Sequence, residues 1–297
     1  MKNKLRGSLS LLIATLIWGS AFVAQSVGMD YIGPFTFQTV RGVFALVGLL
    51  PIIFLVDKLN HRPFFAGWKN RKLWIGGALC AVPLFFAANL QQVALVSVDA
   101  GKAAFLTAMY IVIVPILGLF RRQKLSPVIP VCVLLAVGGL YCLSYIGVDR
   151  LQFGDLCLLV CALMFAIQIM LVDHFAPEVD GFRLNFVQVL VCSGLSALPM
   201  LLLEEPNITA ISSCTVPLLY AGFLSTGIAY SLQIVGQKDL DSSTASLIMS
   251  LESVFAVLCG AIILKETMTG WEILGCGLVF LAVLLAQIPF PSKKRSL

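Results

Sequence analysis

Charge is what this sequence has least of. Asp, Glu, Lys and Arg make up 12% of its 297 residues, against 59% hydrophobic. Soluble globular chains carry about 25% charged and about 45–50% apolar residues. A soluble domain of this length needs far more polar surface, because one core cannot hide so many apolar side chains. Histidine is almost absent: His61 and His174 lie in or beside loops between apolar runs. No HExxH, GxSxG or GxxxxGK[ST] pattern occurs, and no two aspartates share an apolar run. Without an ATP-binding loop, any transport must draw on a gradient or on exchange. The nine cysteines form no CxxC pair and no Cys/His cluster at metal-ligand spacing. Most fall in apolar runs, where Cys behaves as a small hydrophobe. No metal and no cofactor is expected.

What fills the chain instead is a series of long uncharged runs. Hydropathy and punctuation predict membrane spans near residues 8–27, 34–56, 73–95, 99–119, 126–146, 154–173, 183–203, 215–236, 243–264 and 270–288. The first has a basic start like a signal peptide. No small-x-small cleavage site closes it, so it is expected to be retained. Short connections leave no room for a sizeable aqueous domain. The expected fold class is an all-α polytopic membrane protein with ten transmembrane helices. Its partners are then the lipid bilayer and a small-molecule substrate, not nucleic acid, as a monomer or homodimer. The net charge of +5 is read from where the charges lie. Sixteen Lys and Arg fall on the side of the N-terminus, three (Lys102, Arg150, Lys265) on the other, and Arg41 within a span. The positive-inside rule places both termini in the cytoplasm. Short loops fit a bacterial inner membrane.

The second half slides over the first. Gly7-Ser8-Leu9-Ser10-Leu11-Leu12-Ile13 lies over Gly154-Asp155-Leu156-Cys157-Leu158-Leu159-Val160, and Trp18 over Phe165, at an offset of 147. Near the ends of the halves, Lys124-Leu125-Ser126 lies over Thr267-Met268-Thr269 at an offset of 143. Two units are expected, 1–148 and 149–297. Five spans is an odd number, so the second unit enters the membrane inverted. Inverted pairs build transporters, with the substrate site near the midplane between the repeats.

Ionisable groups inside the bilayer are functional candidates by default. Arg41 shares a helix face with Gln38, Ala45 and Gly48, the small and polar kind of face that packs inward. It is a candidate clamp for a carboxylate or phosphate, or else a structural ion pair. Glu252 shares a face with Ala245, Met249 and Ala256 and is the proton-coupling candidate; Arg41 is a possible partner for it. Lys102 follows Asp99 by three residues, so either a local pair or a place at the outer mouth of a cavity is expected. Among neutral groups, Thr226, Tyr230, Gln233 and Gln237 form a stripe at helical spacing, and Asn89, Gln91 and Gln92 cluster on the third span. Trp18 lies deep in the first span, as a cavity wall or as packing. The substrate-binding candidates are Trp18, Gln38, Arg41, Asn89, Gln92, Lys102, Tyr110, Tyr230 and Gln233.

Four short motifs stand in order along the chain: Trp18-Gly19-Ser20 with Phe22, Arg41-Gly42-Val43-Phe44-Ala45, Ala100-Gly101-Lys102-Ala103-Ala104-Phe105-Leu106, and Leu264-Lys265-Glu266-Thr267-Met268-Thr269. Together they resemble the EamA-type members of the drug/metabolite transporter superfamily over the whole chain. The family often has Glu-Pro in the ninth span; Glu252-Ser253 here removes the proline basis for a kink. The resemblance implies a metabolite or drug permease, often an exporter of amino acids or related compounds, with a central cavity between the repeats. The reading is a secondary transporter of a small polar metabolite, such as an amino acid, with protons as a possible coupling ion. An antiporter of phosphorylated or nucleotide-linked anions is the rival within transport, and would need more cavity cations than Arg41 and Lys102. A passive channel or an intramembrane enzyme is the rival from another class.

Overall fold

Backbone N–H and C=O groups cannot be left open in hydrocarbon, so an apolar chain crosses a membrane as closed helices. The computed structural model describes residues 2–121, 126–143, 152–263 and 269–287, and among them there is helix and turn but no strand. The helices are α1 (Lys2–Gly28), α2 (Pro34–Leu59), α3 (Arg71–Ala94), α4 (Ala100–Phe120), α5 (Val128–Leu143), α6 (Phe153–Phe175), α7 (Gly181–Leu203), α8 (Thr215–Gln237), α9 (Ser242–Ile262) and α10 (Gly270–Gln287). Eight are long and apolar enough to span a membrane alone, while α5 and α10 are apolar but shorter. The chain is therefore an all-α polytopic membrane protein. Arg150, Lys265 and the Leu264–Met268 part of the fourth motif lie outside the described residues, as do Arg122, Lys124, Lys293, Lys294 and Arg295.

Caps set the helix starts on the polar margins. Asn70, Asp180 and Asp241 each accept a hydrogen bond from a backbone N–H of the first turn, the usual remedy for orphan donors. Pro34 opens α2, where its missing N–H is harmless. The sequence places the start of α1 at residue 8; the helix runs back to Lys2, because basic side chains can wind on beyond the apolar run into the polar margin.

Three helices are irregular, and the irregularities face the centre. In α4 the α-helical winding lapses at Ala108–Met109, where Met109 N–H bonds the Leu106 carbonyl at 3.3 Å. Pro115 sits little more than a turn further on and cannot close its own bond to Ile111. In α9 the winding lapses at Ser250, with no proline near. There the hydroxyls of Ser246 and Ser250 donate to the Ser243 and Leu247 carbonyls at 2.9 and 2.8 Å, competing with the backbone ladder. The proline argument from sequence thus missed a break beside Glu252 that serines make. In α8, Tyr220–Ala229 is wound as a π-helix.

The helix α1 runs through the middle, against α4, α8 and α9. Gly19 permits this: a Cβ there would meet the Phe255 Cβ at 2.5 Å and the Glu252 carbonyl at 2.7 Å. Helix α2 pairs with α7, α3 lies between α6 and α7, and α5 packs against α10 away from the centre. Small residues let these backbones approach, as membrane helix interfaces require.

Candidate functional site

Six of the ten functional candidates converge on one buried cavity between α1, α2, α3, α4, α6, α8 and α9. Trp18, Arg41, Tyr110, Tyr230, Gln233 and Glu252 all line it. The space left at its centre is about 30 Å³; a buried water needs about 10–15 Å³ on such a measure. That is room for about two waters.

Each charged group enters on a different helix. Arg41, on α2, is 4% exposed and donates from Nη1 to Gln25 Oε1 at 2.7 Å. Its guanidinium also lies 5.9 Å from the centroid of the Phe37 ring. Glu252, on α9, is 6% exposed, and its Oε1 accepts the Tyr110 hydroxyl at 3.0 Å. Among the described residues neither Arg41 nor Glu252 makes an ion pair. A charge buried without a countercharge is costly in hydrocarbon, so the arrangement leaves a cation and a carboxyl facing one cavity with only neutral neighbours. The sequence had Arg41 and Glu252 as possible partners of each other; the structure keeps them apart.

Trp18 and Tyr230 form an aromatic corner, with centroids 5.0 Å apart in an edge-on arrangement. Gln233 belongs to a chain of buried amides: its Nε2 donates to Gln168 and Gln237 at 3.1 and 3.0 Å, and Gln168 donates to Gln188 at 3.3 Å. Gln188 in turn donates to Asn185 Oδ1 at 2.9 Å. Asn185 Nδ2 reaches three acceptors on α8, the Thr226 and Gly227 carbonyls at 3.0 and 2.8 Å and Ser231 Oγ at 2.9 Å. This chain therefore ends on the π-wound segment.

Four other candidates lie outside the cavity lining. Lys102 pairs with Asp155 at the start of α6, Nζ to Oδ1 at 2.7 Å. The local pair with Asp99 does not form, because Asp155 is held by the Gln152 N–H at 3.0 Å with its carboxylate at Lys102. Asn89 donates to Ser196 Oγ at 2.8 Å and joins α3 to α7. Gln92 donates to the Gln25 carbonyl at 3.2 Å, behind the residue that holds Arg41. Gln38 is buried, with Nε2 lacking a partner among the described residues.

Sequence reasoning passed over several lining residues: Gln25, Thr107, Phe22, Phe165, Ile169, Ser225 and Met249. Gln91, noted only as part of a cluster, also lines the cavity and donates to Thr107 Oγ1 at 3.1 Å. Ser225 replaces Thr226 because the wider π-turn changes which residues share a face, a shift no 3.6-residue count can foresee. The repeat offset was the available signal for others. Phe165 stands over Trp18 and Ile169 over Phe22 at the same 147-residue offset, and all four line the cavity.

A polar, two-charge cavity in the middle of a polytopic helical membrane protein is the arrangement of a membrane transporter. The EamA-like transporter family model matches residues 5–145 and again 152–287. The chain belongs to the EamA-like transporter family, of the drug/metabolite type, and is a transporter. It is 31% identical to an uncharacterized transporter of Archaeoglobus fulgidus over 96% of this chain and 87% of that one. It is 24% identical to the uncharacterized transporter YoaV of Bacillus subtilis, covering 96% and 98% of the two chains. The uncharacterized inner membrane transporter YicL of Salmonella typhimurium is 22% identical over 100% of this chain and 99% of its own. A solved crystal structure shares the fold, with a TM-score of 0.74 at 17% identity, covering 95% of this chain and 97% of that one.

Proposed function

We propose that the protein is a secondary-active carrier of small zwitterionic solutes, amino acids or close relatives, working by alternating access. The observation that supports this is the pair of charges in one cavity, Arg41 and Glu252, neither with an ion-pair partner among the described residues. A solute carrying both a carboxylate and an ammonium completes both. The planar Arg41 fork takes the carboxylate with two parallel hydrogen bonds, and Glu252 takes the ammonium. Gln25, Gln91, Gln233 and the two tyrosines offer neutral hydrogen bonds, and Phe22, Phe165, Ile169 and Met249 make an apolar wall. In this reading the moving parts are the inverted halves 1–148 and 149–297, in an inner membrane with both termini cytoplasmic.

Proton coupling follows from the same carboxyl. Glu252 can hold a proton or the substrate ammonium but not both, so loading substrate releases a proton and the reverse. That exclusion makes an antiporter without a separate proton site. A polyanionic phosphate ester is served less well: Arg41 is the cation on the cavity wall, while Lys102 is committed to Asp155. The test is counterflow in proteoliposomes preloaded with unlabelled amino acids, with labelled ones outside and with or without a pH gradient. Saturable accumulation supports the carrier. Silence for every amino acid, with uptake of phosphate esters, overturns the substrate class; a labelled solute chemically converted would point to an enzyme.

A further inference from the structure

We propose that the antiparallel pair α2–α7 carries both gates of the transport cycle, with Asp57 and Glu204 as its two latches. On the face of the N-terminus, Asp57 in the last turn of α2 binds Arg183 in the first turn of α7, and each side chain is 4% exposed. The Arg183 guanidinium also donates to the Phe64 carbonyl at 3.1 Å and lies over Trp68 at 5.4 Å. On the opposite face the helices exchange roles. Glu204, ending α7, accepts the Phe35 N–H at 2.9 Å and the Thr36 N–H at 2.7 Å from the first turn of α2. It also accepts the Thr36 hydroxyl at 2.6 Å. A carboxylate on free N–H groups at a helix start is a strong contact, favoured by the helix dipole.

The two latches are one device copied. Glu204 follows Asp57 by 147 residues, and Arg183 follows Thr36 by the same 147, the offset that superposes the halves. In each half, the acid closing the second helix fastens to the opening turn of the second helix of the other half. A glycine makes room for each: a Cβ on Gly33 would lie 2.3 Å from Glu204 Cδ, and one on Gly67 would lie 2.5 Å from Arg183 Nε. Between the latches the helices nearly touch. A Cβ on Gly42 would overlap Ser193 Oγ at 1.8 Å, so Gly42 and Ser193 mark the crossing on which the pair can pivot.

The other ion pairs that join the halves differ. Arg6–Asp239 and Lys72–Glu178 leave their cations 62% and 65% exposed, where such pairs contribute little. Lys102–Asp155 has no counterpart at the repeat offset, since residue 8 is Ser8. With both latches closed the cavity shrinks to the space described above. Release of Asp57–Arg183 lets the pair swing open on the face of the N-terminus, and release of Glu204 opens the opposite face. The crossing keeps the two releases exclusive.

The inference rests on the alternating-access reading, but its test needs no substrate. In a chain with the nine native cysteines replaced, nitroxide pairs at Asn60→Cys with Pro177→Cys and at Tyr31→Cys with Glu205→Cys report the two faces by pulsed electron spin resonance. Asp57→Asn is expected to shift the open-to-closed ratio at the 60–177 pair by at least about tenfold, the scale of one charged hydrogen bond, leaving 31–205 short. Glu204→Gln is expected to do the reverse, and Lys102→Met to move neither. The exchange of Asp57→Arg with Arg183→Asp, and the conservative Glu204→Asp, are expected to restore the parent distributions even if a single variant folds poorly. Unchanged distances in both acid variants, or opening of the same face by both, overturns the proposal. Counterflow of amino acids by the parent chain is measured separately, so a wrong substrate and a wrong gate give different results.

Discussion

Replacing Asn185 with leucine, a side chain of similar shape without polarity, removes the support of the π-wound segment in α8 together with the acceptor of the Gln188 amide. Asn185 is fully buried and its amide reaches Thr226 O, Gly227 O and Ser231 Oγ. Interhelical hydrogen bonds in membranes average about 0.6 kcal/mol and reach about 1.7. Three of them therefore contribute about 2 kcal/mol at the average and about 5 kcal/mol at the ceiling. The lower figure fits better, because Gly227 O keeps a second partner, the Ser231 hydroxyl at 2.7 Å. At about 2.1 cal/mol/K of unfolding entropy per residue, about 2 kcal/mol corresponds to a melting-point drop of roughly 3 °C for a chain of this size. The assay is thermal unfolding in detergent followed by tryptophan fluorescence, with KM from counterflow beside it. KM is expected to rise as well, since the π-turn sets Ser225 on the cavity wall. A melting point within about 0.5 °C of the parent, a change below the quoted average for even one bond, would contradict this support.

Other perturbations separate the roles of the site residues. Arg41→Lys keeps the charge and loses the fork, and kcat/KM in counterflow is expected to fall about 10–100-fold, the scale of one charged hydrogen bond. Tyr110→Phe removes the one side-chain hydrogen bond of Glu252 among the described residues; a shift in the pH midpoint of transport with near-parental folding is expected, read from initial rates across pH. Glu252→Gln is expected to abolish the pH dependence of transport while substrate-independent melting stays close to the parent. Gly42→Leu forces α2 away from Ser193, and loss of folded, monodisperse protein in size-exclusion chromatography is expected.

Hydropathy made most of the fold legible, because a span of helix in hydrocarbon has little choice but to be long, apolar and closed. Arg41 and Glu252 were legible for the complementary reason: nothing else about an apolar span explains a charge at its centre. Neutral polar groups were harder to sort. Asn89 and Gln92 look like cavity residues by composition, yet their amides tie helices together. Gln25 and Gln91 read no differently and face the cavity. In lipid the outward face is as apolar as the packed one, so periodicity cannot tell which way a lone glutamine points. Lys102 was drawn away by Asp155, fifty-three positions distant, a contact no local spacing reports. Thr226 and Ser225 exchanged places because of the π-turn. Only the repeat offset carried information across the chain, through Trp18 and Phe165 and through Asp57 and Glu204.

On the proposed function, one cavity reads both ends of a zwitterion. The direct measurement is competition in the counterflow assay between an amino acid, the amine lacking its carboxylate and the acid lacking its ammonium. The intact amino acid is expected to compete at least about tenfold better than either truncated analogue. Arg41→Gln should erase the advantage over the amine, and Glu252→Gln the advantage over the acid. Equal competition by the intact solute and one analogue in the parent protein would contradict the pairing of Arg41 and Glu252 across the substrate.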